Sequence, residues 1–114
     1  MDDYKIKLLL RKFAKDRDWD QFHSLKNLVC ALSVEASELL EIFQWTDSTD
    51  EKINDVVLKE KISDEVADIM LYLIRFADKA DINLEDVCLK KIQKNSNKYP
   101  VELSKGISKK YDEL

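Results

Sequence analysis

The chain has 114 residues, 45% of them apolar, which is enough for one domain with a core of its own. A formal net charge of −4 and an isoelectric point near 5.0 argue against a surface built to bind nucleic acid or anionic membrane. One glycine and one proline leave little material for hairpins, so the expected fold class is all-α.

A first helix is expected from about Asp3 to Arg17, with Ile6, Leu9, Leu10 and Phe13 facing inward. The connector DWDQFH then carries Trp19, Phe22 and His23. Ser24 suits the N-cap of a second helix, which continues to about Gln44 or Trp45. TDSTDE, residues 46–51, is rich in turn and cap residues and reads as a loop. From about Glu51 to Ala80 the pattern is helical, as one helix or as a short helix followed by a longer one. Asn83 is expected to cap the next helix, with Asp86 three residues on, a variant of the capping box. That helix carries Leu84, Val87, Cys88 and Ile92 and ends before Tyr99-Pro100, because proline disfavours helix in the residue before it. From about residue 101 periodicity is lost, and the tail is expected to be extended or mobile.

The whole reads as a single domain over residues 1–114, a bundle of four main helices. Cys30 and Cys88 stand in no metal-ligand spacing and read as reduced thiols. No apolar run approaches the roughly 20 residues that cross a bilayer, and MDDYKIK lacks a leader pattern. A soluble, cytoplasmic protein with no membrane or nucleic-acid partner is therefore expected.

Two pairs of acids carry the functional information: Glu35 and Glu38 in SVEASELLE, then Glu65 and Asp68 in SDEVADIMLY. Each pair is spaced i, i+3, which on a helix puts both side chains on one face. Projected at about 100° per residue from Leu32, the residues Leu25, Leu28, Ala36, Leu39 and Phe43 form an apolar stripe. Glu35 falls at about −60° and Glu38 at about −120°. With Ile62 as zero, Leu58, Val66, Ile69, Leu73 and Phe76 form the second stripe, and Glu65 and Asp68 take the same two offsets. Glu35 and Glu65 thus lie within an apolar arc, where a carboxylate must be protonated, paired or metal-bound. A shift of about thirty residues aligns Leu28 with Leu58, Leu32 with Ile62, Ala36 with Val66 and Leu39 with Ile69. The expectation is two similar helices packed face to face, bringing four carboxylates to one cleft. The competing reading is a solvated face with ordinary ion pairs, which suits Glu41, opposite the stripe.

Oxygen-only ligands suit hard cations, Mg2+ above all, with Mn2+ as a substitute. A di-iron bundle needs Glu-x-x-His pairs, and this chain has a single histidine, His23. Zinc is disfavoured for want of His and Cys ligands. Acids that gather divalent ions around phosphate point to hydrolysis of a phosphoanhydride or phosphodiester, without naming the substrate.

E-x-x-E followed by E-x-x-D resembles the acid motif of the MazG-like all-α nucleotide pyrophosphohydrolases. RDWDQFH at 17–23, LLEIFQW at 39–45, DEVADIMLYLIRFADKADINL at 64–84 and NSNKYPVELSKG at 95–106 resemble the dCTP pyrophosphatase-like branch. Val34 and Ser37 stand where relatives often have glycine, which favours helix and keeps both acids. The resemblance implies hydrolysis of a nucleoside triphosphate between its α and β phosphates, with Glu35, Glu38, Glu65 and Asp68 holding Mg2+. It implies that Trp19 and Trp45 enclose the base, that Tyr72 and Asn95 contact sugar or phosphate, and that Lys91 and Lys98 offer positive charge. His23 would line the pocket, and the chain would form a homodimer or a dimer of dimers. On pattern alone the tryptophans are equally core plugs, Tyr72 a core residue, His23 a helix cap and the lysines partners of a helix dipole. The second functional reading is a non-catalytic nucleotide-binding or helical interaction module.

Overall fold

The computed structural model describes residues 1–45 and 54–114. The loop expected at 46–51, and the first residues of the helical pattern after it, lie outside the described residues. All regular elements among the described residues are helical, as the composition requires: α1 (Asp3–Asp16), α2 (Leu25–Phe43), α3 (Val56–Lys79), α4 (Leu84–Lys98) and α5 (Val101–Ser104). Two 3-10 turns, Asp20–Phe22 and Tyr111–Glu113, also lie among the described residues. None of these helices is long and apolar enough to cross a membrane. The chain divides into two compact units, Met1–Asp81 and Ile82–Leu114.

In the first unit the helix starts follow side-chain capping. Asp2, Ser24 and Asp55 each accept a hydrogen bond from the backbone N–H three residues on, at 3.0, 3.1 and 3.0 Å. Asp55 caps α3, which runs without interruption from Val56 to Lys79; the stretch in which a shorter helix could precede it falls mostly outside the described residues. At the end of α1 the chain turns back through Asp18, whose φ of 55° is left-handed, a conformation that aspartate tolerates better than most residues. Trp19 N–H then reaches Ala14 C=O at 2.8 Å and Asp18 N–H reaches Lys15 C=O at 3.1 Å. This closure folds Trp19 onto Phe13, ring edge to face at 5.7 Å.

α2 packs along α3, and α1 packs against α3. The closed core is small: Ala14, Leu28, Ile62, Ile74 and Ala77. Fully buried residues such as Leu28 and Ile74 contribute about 1.5–3 kcal/mol each through lost apolar surface. The stripes are covered over only part of their arc. Leu32, Leu39, Phe43, Leu58, Ile69 and Phe76 are half-buried, whereas Leu25, Ala36, Val66 and Leu73 remain exposed. The inward face expected of α1 is corrected in the same way. Ile6 and Leu10 are half-buried, but Leu9 and Phe13 are exposed, because this face walls an open cavity instead of filling a core.

In the second unit Asn83 caps α4 by accepting from Asp86 N–H at 3.0 Å, and α4 stops at Lys98, as expected. The tail is not extended throughout. Pro100, with φ of −57°, turns the chain into α5, its carbonyl accepting from Leu103 and Ser104 at 3.1 and 3.0 Å. Tyr111 then returns to Tyr99, ring centroids 6.3 Å apart, and takes Lys98 Nζ over its face at 4.8 Å. These contacts join residues twelve or thirteen apart, which periodicity does not register.

Candidate active site

Helical spacing delivers the acids as the projection predicts, one pair per helix on the facing sides of α2 and α3. Glu35, Glu38 and Glu65 each present a carboxylate oxygen within 4.8 Å of the other two. Glu38 is exposed, while Glu35 and Glu65 are half-buried. One oxygen of each half-buried acid, Oε2 of Glu35 and Oε2 of Glu65, is buried with no hydrogen-bond partner. Such orphans are rare in folded proteins, since an unsatisfied buried acceptor costs about 1–3 kcal/mol, more if charged. Asp68, one turn beyond Glu65, lies outside this closest group, yet its charge reaches both Glu35 and Glu65.

The electrostatics follow from crowding. The facing Glu65 carboxyl, burial, and the charges of Glu38 and Asp68 push the Glu35 carboxyl up to about 7. Glu65 is raised as well. Contact with Glu35 pulls it down, but burial and the charges of Glu38 and Asp68 outweigh that pull. The cluster therefore holds a proton near neutrality when no cation is present. Three converging carboxylate oxygens with two orphaned lone-pair sites make a donor set suited to a hard divalent ion.

The cluster stands between two concavities. On the α1 side a cavity of about 500 Å³ is walled by Ile6, Leu9, Leu10, Phe13, Leu71 and Tyr72, with Trp19, His23, Asp68 and Arg75 contributing polar or aromatic edges. Its size and apolar lining suit a flat organic ligand. On the other side an open, polar groove is formed by Glu38, Glu41, Ile42, Leu58, Lys61, Asp64 and Glu65. Asp68 faces the first and Glu65 the second, so a ligand bridging both would pass the acids.

Of the expected ligand contacts, Trp19, His23 and Tyr72 are brought to the apolar cavity together with Asp68. Trp45, just past the end of α2, is 89% exposed and is not among the residues lining it. Lys91, Asn95 and Lys98 all lie on α4 in the second unit, where Asn95 C=O accepts from Tyr99 N–H at 2.9 Å. Ser37 donates its hydroxyl to Ser33 C=O at 2.9 Å and leaves the helix intact.

Sequence reasoning missed Arg75. Its guanidinium is buried, the one buried charged group among the described residues. It donates through Nε to His23 Nδ1 at 3.3 Å and through Nη2 to Asp20, and Nη1 lies 3.6 Å from Asp78 Oδ2. Asp78 is gripped in turn by Arg11 through two bonds of 2.8 and 2.7 Å, which holds its carboxyl below the usual range. Lys79 also pairs with Asp20, at 3.3 Å. A signal was present: an arginine inside the apolar run LYLIRFA, seven residues after Asp68 and three after Tyr72, shares their helix face.

Comparison with known proteins agrees with this geometry. The pattern of the MazG-like family matches residues 30–114, which includes all four acids. The chain belongs to the MazG-like family. Among curated relatives, dCTP pyrophosphatase 1 of Mus musculus is 37% identical over 111 residues, and that of Homo sapiens 35%. Each alignment covers 96% of this chain but 65% of the relative, so the chain spans less than two thirds of their length. The crystal structure of a pyrophosphatase from Archaeoglobus fulgidus superposes with a TM-score of 0.74 at 42% identity, covering 81% of this chain and 86% of that one. The all-helical architecture is thus a MazG-like fold.

Proposed function

We propose that this chain hydrolyses nucleoside triphosphates to monophosphate and pyrophosphate, with Mg2+, or Mn2+ in its place, held by Glu35, Glu38, Glu65 and Asp68. The proposed substrate is dCTP or a modified deoxycytidine triphosphate, and the proposed role is cytoplasmic clearance of such nucleotides. One observation carries the reading: buried, partnerless oxygens on Glu35 and Glu65 converge with Glu38. Carboxylates forced together destabilise a fold unless a proton or a cation joins them, and a divalent ion would relieve all of them at once. Relatives named dCTP pyrophosphatase 1 and an archaeal pyrophosphatase support the reaction class.

The residues divide the work. Phe13, Trp19 and Tyr72 wall the cavity that would take the base, their rings offering stacking and edge contacts. Bound at the acids, Mg2+ would neutralise polyphosphate charge and ease ionisation of the attacking water. A carboxylate not fully committed to the ion would accept that water's proton. Lys61, in the polar groove, would meet the outer phosphates. Trp45, Lys91, Asn95 and Lys98 keep their proposed substrate contacts on the family resemblance. A homodimer or dimer of dimers is proposed as the working form, because Leu25, Val29, Leu40, Val66, Met70 and Leu73 leave apolar surface uncovered on α2 and α3.

A panel of ribo- and deoxynucleoside triphosphates with Mg2+ or Mn2+ tests the reading. Monophosphate and pyrophosphate from a deoxycytidine nucleotide support it. No hydrolysis across the panel rejects it, and nucleotide-induced thermal stabilisation without turnover would mark a non-catalytic binder instead.

A further inference from the structure

We infer that Arg75 is a positioning residue that fixes His23 as an Nε2–H donor at the wall of the apolar cavity, so that the cavity selects a base offering an acceptor there. The inference rests on the proposed nucleotide reading for its ligand, and on geometry alone for the histidine.

Donor inventories decide the tautomer of His23. A guanidinium carries donors only, and Arg75 Nε–H points to His23 Nδ1 at 3.3 Å. Nδ1 must therefore accept, and the single proton of the neutral imidazole sits on Nε2. Arg75 has little freedom to release that bond. It is 5% exposed, and its other nitrogens are engaged by Asp20 and Asp78. Asp78 is anchored to α1 through Arg11, so the guanidinium is held from three directions. The backbone fixes the ring from the other side: His23 N–H bonds Asp20 C=O at 3.1 Å, and the Trp19 ring stands edge-on at 6.4 Å.

Protonation of the ring would break this arrangement by setting a second donor against Arg75. Burial first, then the Arg75 charge and that of Lys79, push the imidazole below its ordinary value, against an opposing pull from Asp20. With Nδ1 occupied, Nε2 is the ring's remaining polar atom in a wall that is otherwise largely apolar. A ring nitrogen or carbonyl acceptor, such as a pyrimidine offers, is satisfied there. An amino or ring N–H group at the same point would face a donor and be left unpaired.

His23 is the chain's one histidine, so long-range proton–nitrogen correlation on 15N-labelled protein reads its tautomer without mutation. The expected spectrum at neutral pH has a protonated Nε2 and an unprotonated Nδ1; the reverse tautomer, or a rapid average of both, overturns the inference. Arg75→Met keeps the stem and removes the donors, and should shift the spectrum to averaged tautomers. In turnover it should raise KM for dCTP about tenfold with kcat little changed, as loss of one oriented hydrogen bond predicts. His23→Phe keeps a ring and removes both nitrogens, and adding Arg75→Met to it should cost nothing more in KM. Additive losses would mean that Arg75 acts elsewhere. The tautomer needs no turnover, so a chain that hydrolyses no nucleotide sinks the proposed function while the Arg75–His23 assignment stands or falls on its own spectrum.

Discussion

Glu35→Gln is the sharpest perturbation of the acid cluster, because it keeps the shape and removes one ionisable oxygen. With its carboxyl raised to about 7, Glu35 must lose a proton before a cation can bind. At pH 6, 7 and 8 it would be about nine tenths, half and one tenth protonated, so Mg2+ uptake should release about 0.9, 0.5 and 0.1 proton. The same competition weakens apparent affinity about tenfold between pH 8 and pH 6, with a plateau above. Glu65, also raised, adds to the release in the same sense. Titration calorimetry in two buffers of different ionisation enthalpy measures both quantities. Glu35→Gln should lose most of the proton release and most of the slope. If wild-type protein binds Mg2+ equally well at pH 6 and pH 8 with no proton released, the crowding argument is wrong.

Three further outcomes are expected. Without divalent ion, the Glu35 contribution to stability should fall as pH rises from about 4.5 to 7 and level off above that, because folded Glu35 holds its proton to about 7 and unfolded Glu35 loses it near 4.5, so the folded state binds more protons in between. His23, lowered from 6.5, acts oppositely below that pH, so thermal melts of wild type against Glu35→Gln isolate the carboxylate, and a wild-type curve parallel to the mutant's would contradict it. Glu38→Ala and Asp68→Ala should each reduce turnover by more than about a hundredfold while leaving the melting temperature unchanged or raised, since like charge is removed; full activity in either would free that acid from the metal site. Leu28→Ala, at a fully buried position, should cost about 2–5 kcal/mol in denaturant unfolding, and a loss below 1 kcal/mol would mean the α2–α3 core is looser than described.

The parts of this molecule legible in its sequence are those that a 3.6-residue period encodes. Ser24 and Asn83 as caps and the end of α4 at Lys98 follow from spacing along single helices, and the convergence of Glu35, Glu38 and Glu65 follows from the matched angular offsets of two helices expected to face each other. What escaped depends on contacts between segments. Asp55 as a cap was masked by a helical pattern that begins before it. The exposed stripe residues, Leu25 and Val66 among them, reflect how little one chain covers of its own apolar arc. Arg75 escaped because a buried cation is defined by its partners, and Asp20 and His23 lie in and just after the 3-10 turn, which no helical wheel contains. The tail, expected to be extended or mobile, instead forms α5 and the Tyr99–Tyr111 contact, which leaves no local trace.

The most direct test of the account is product identity. Purified protein with dCTP and Mg2+, followed by phosphorus NMR, should yield pyrophosphate and dCMP in equal amounts, with no dCDP and no free phosphate. Accumulation of dCDP with orthophosphate, or unchanged dCTP at saturating Mg2+, would contradict it.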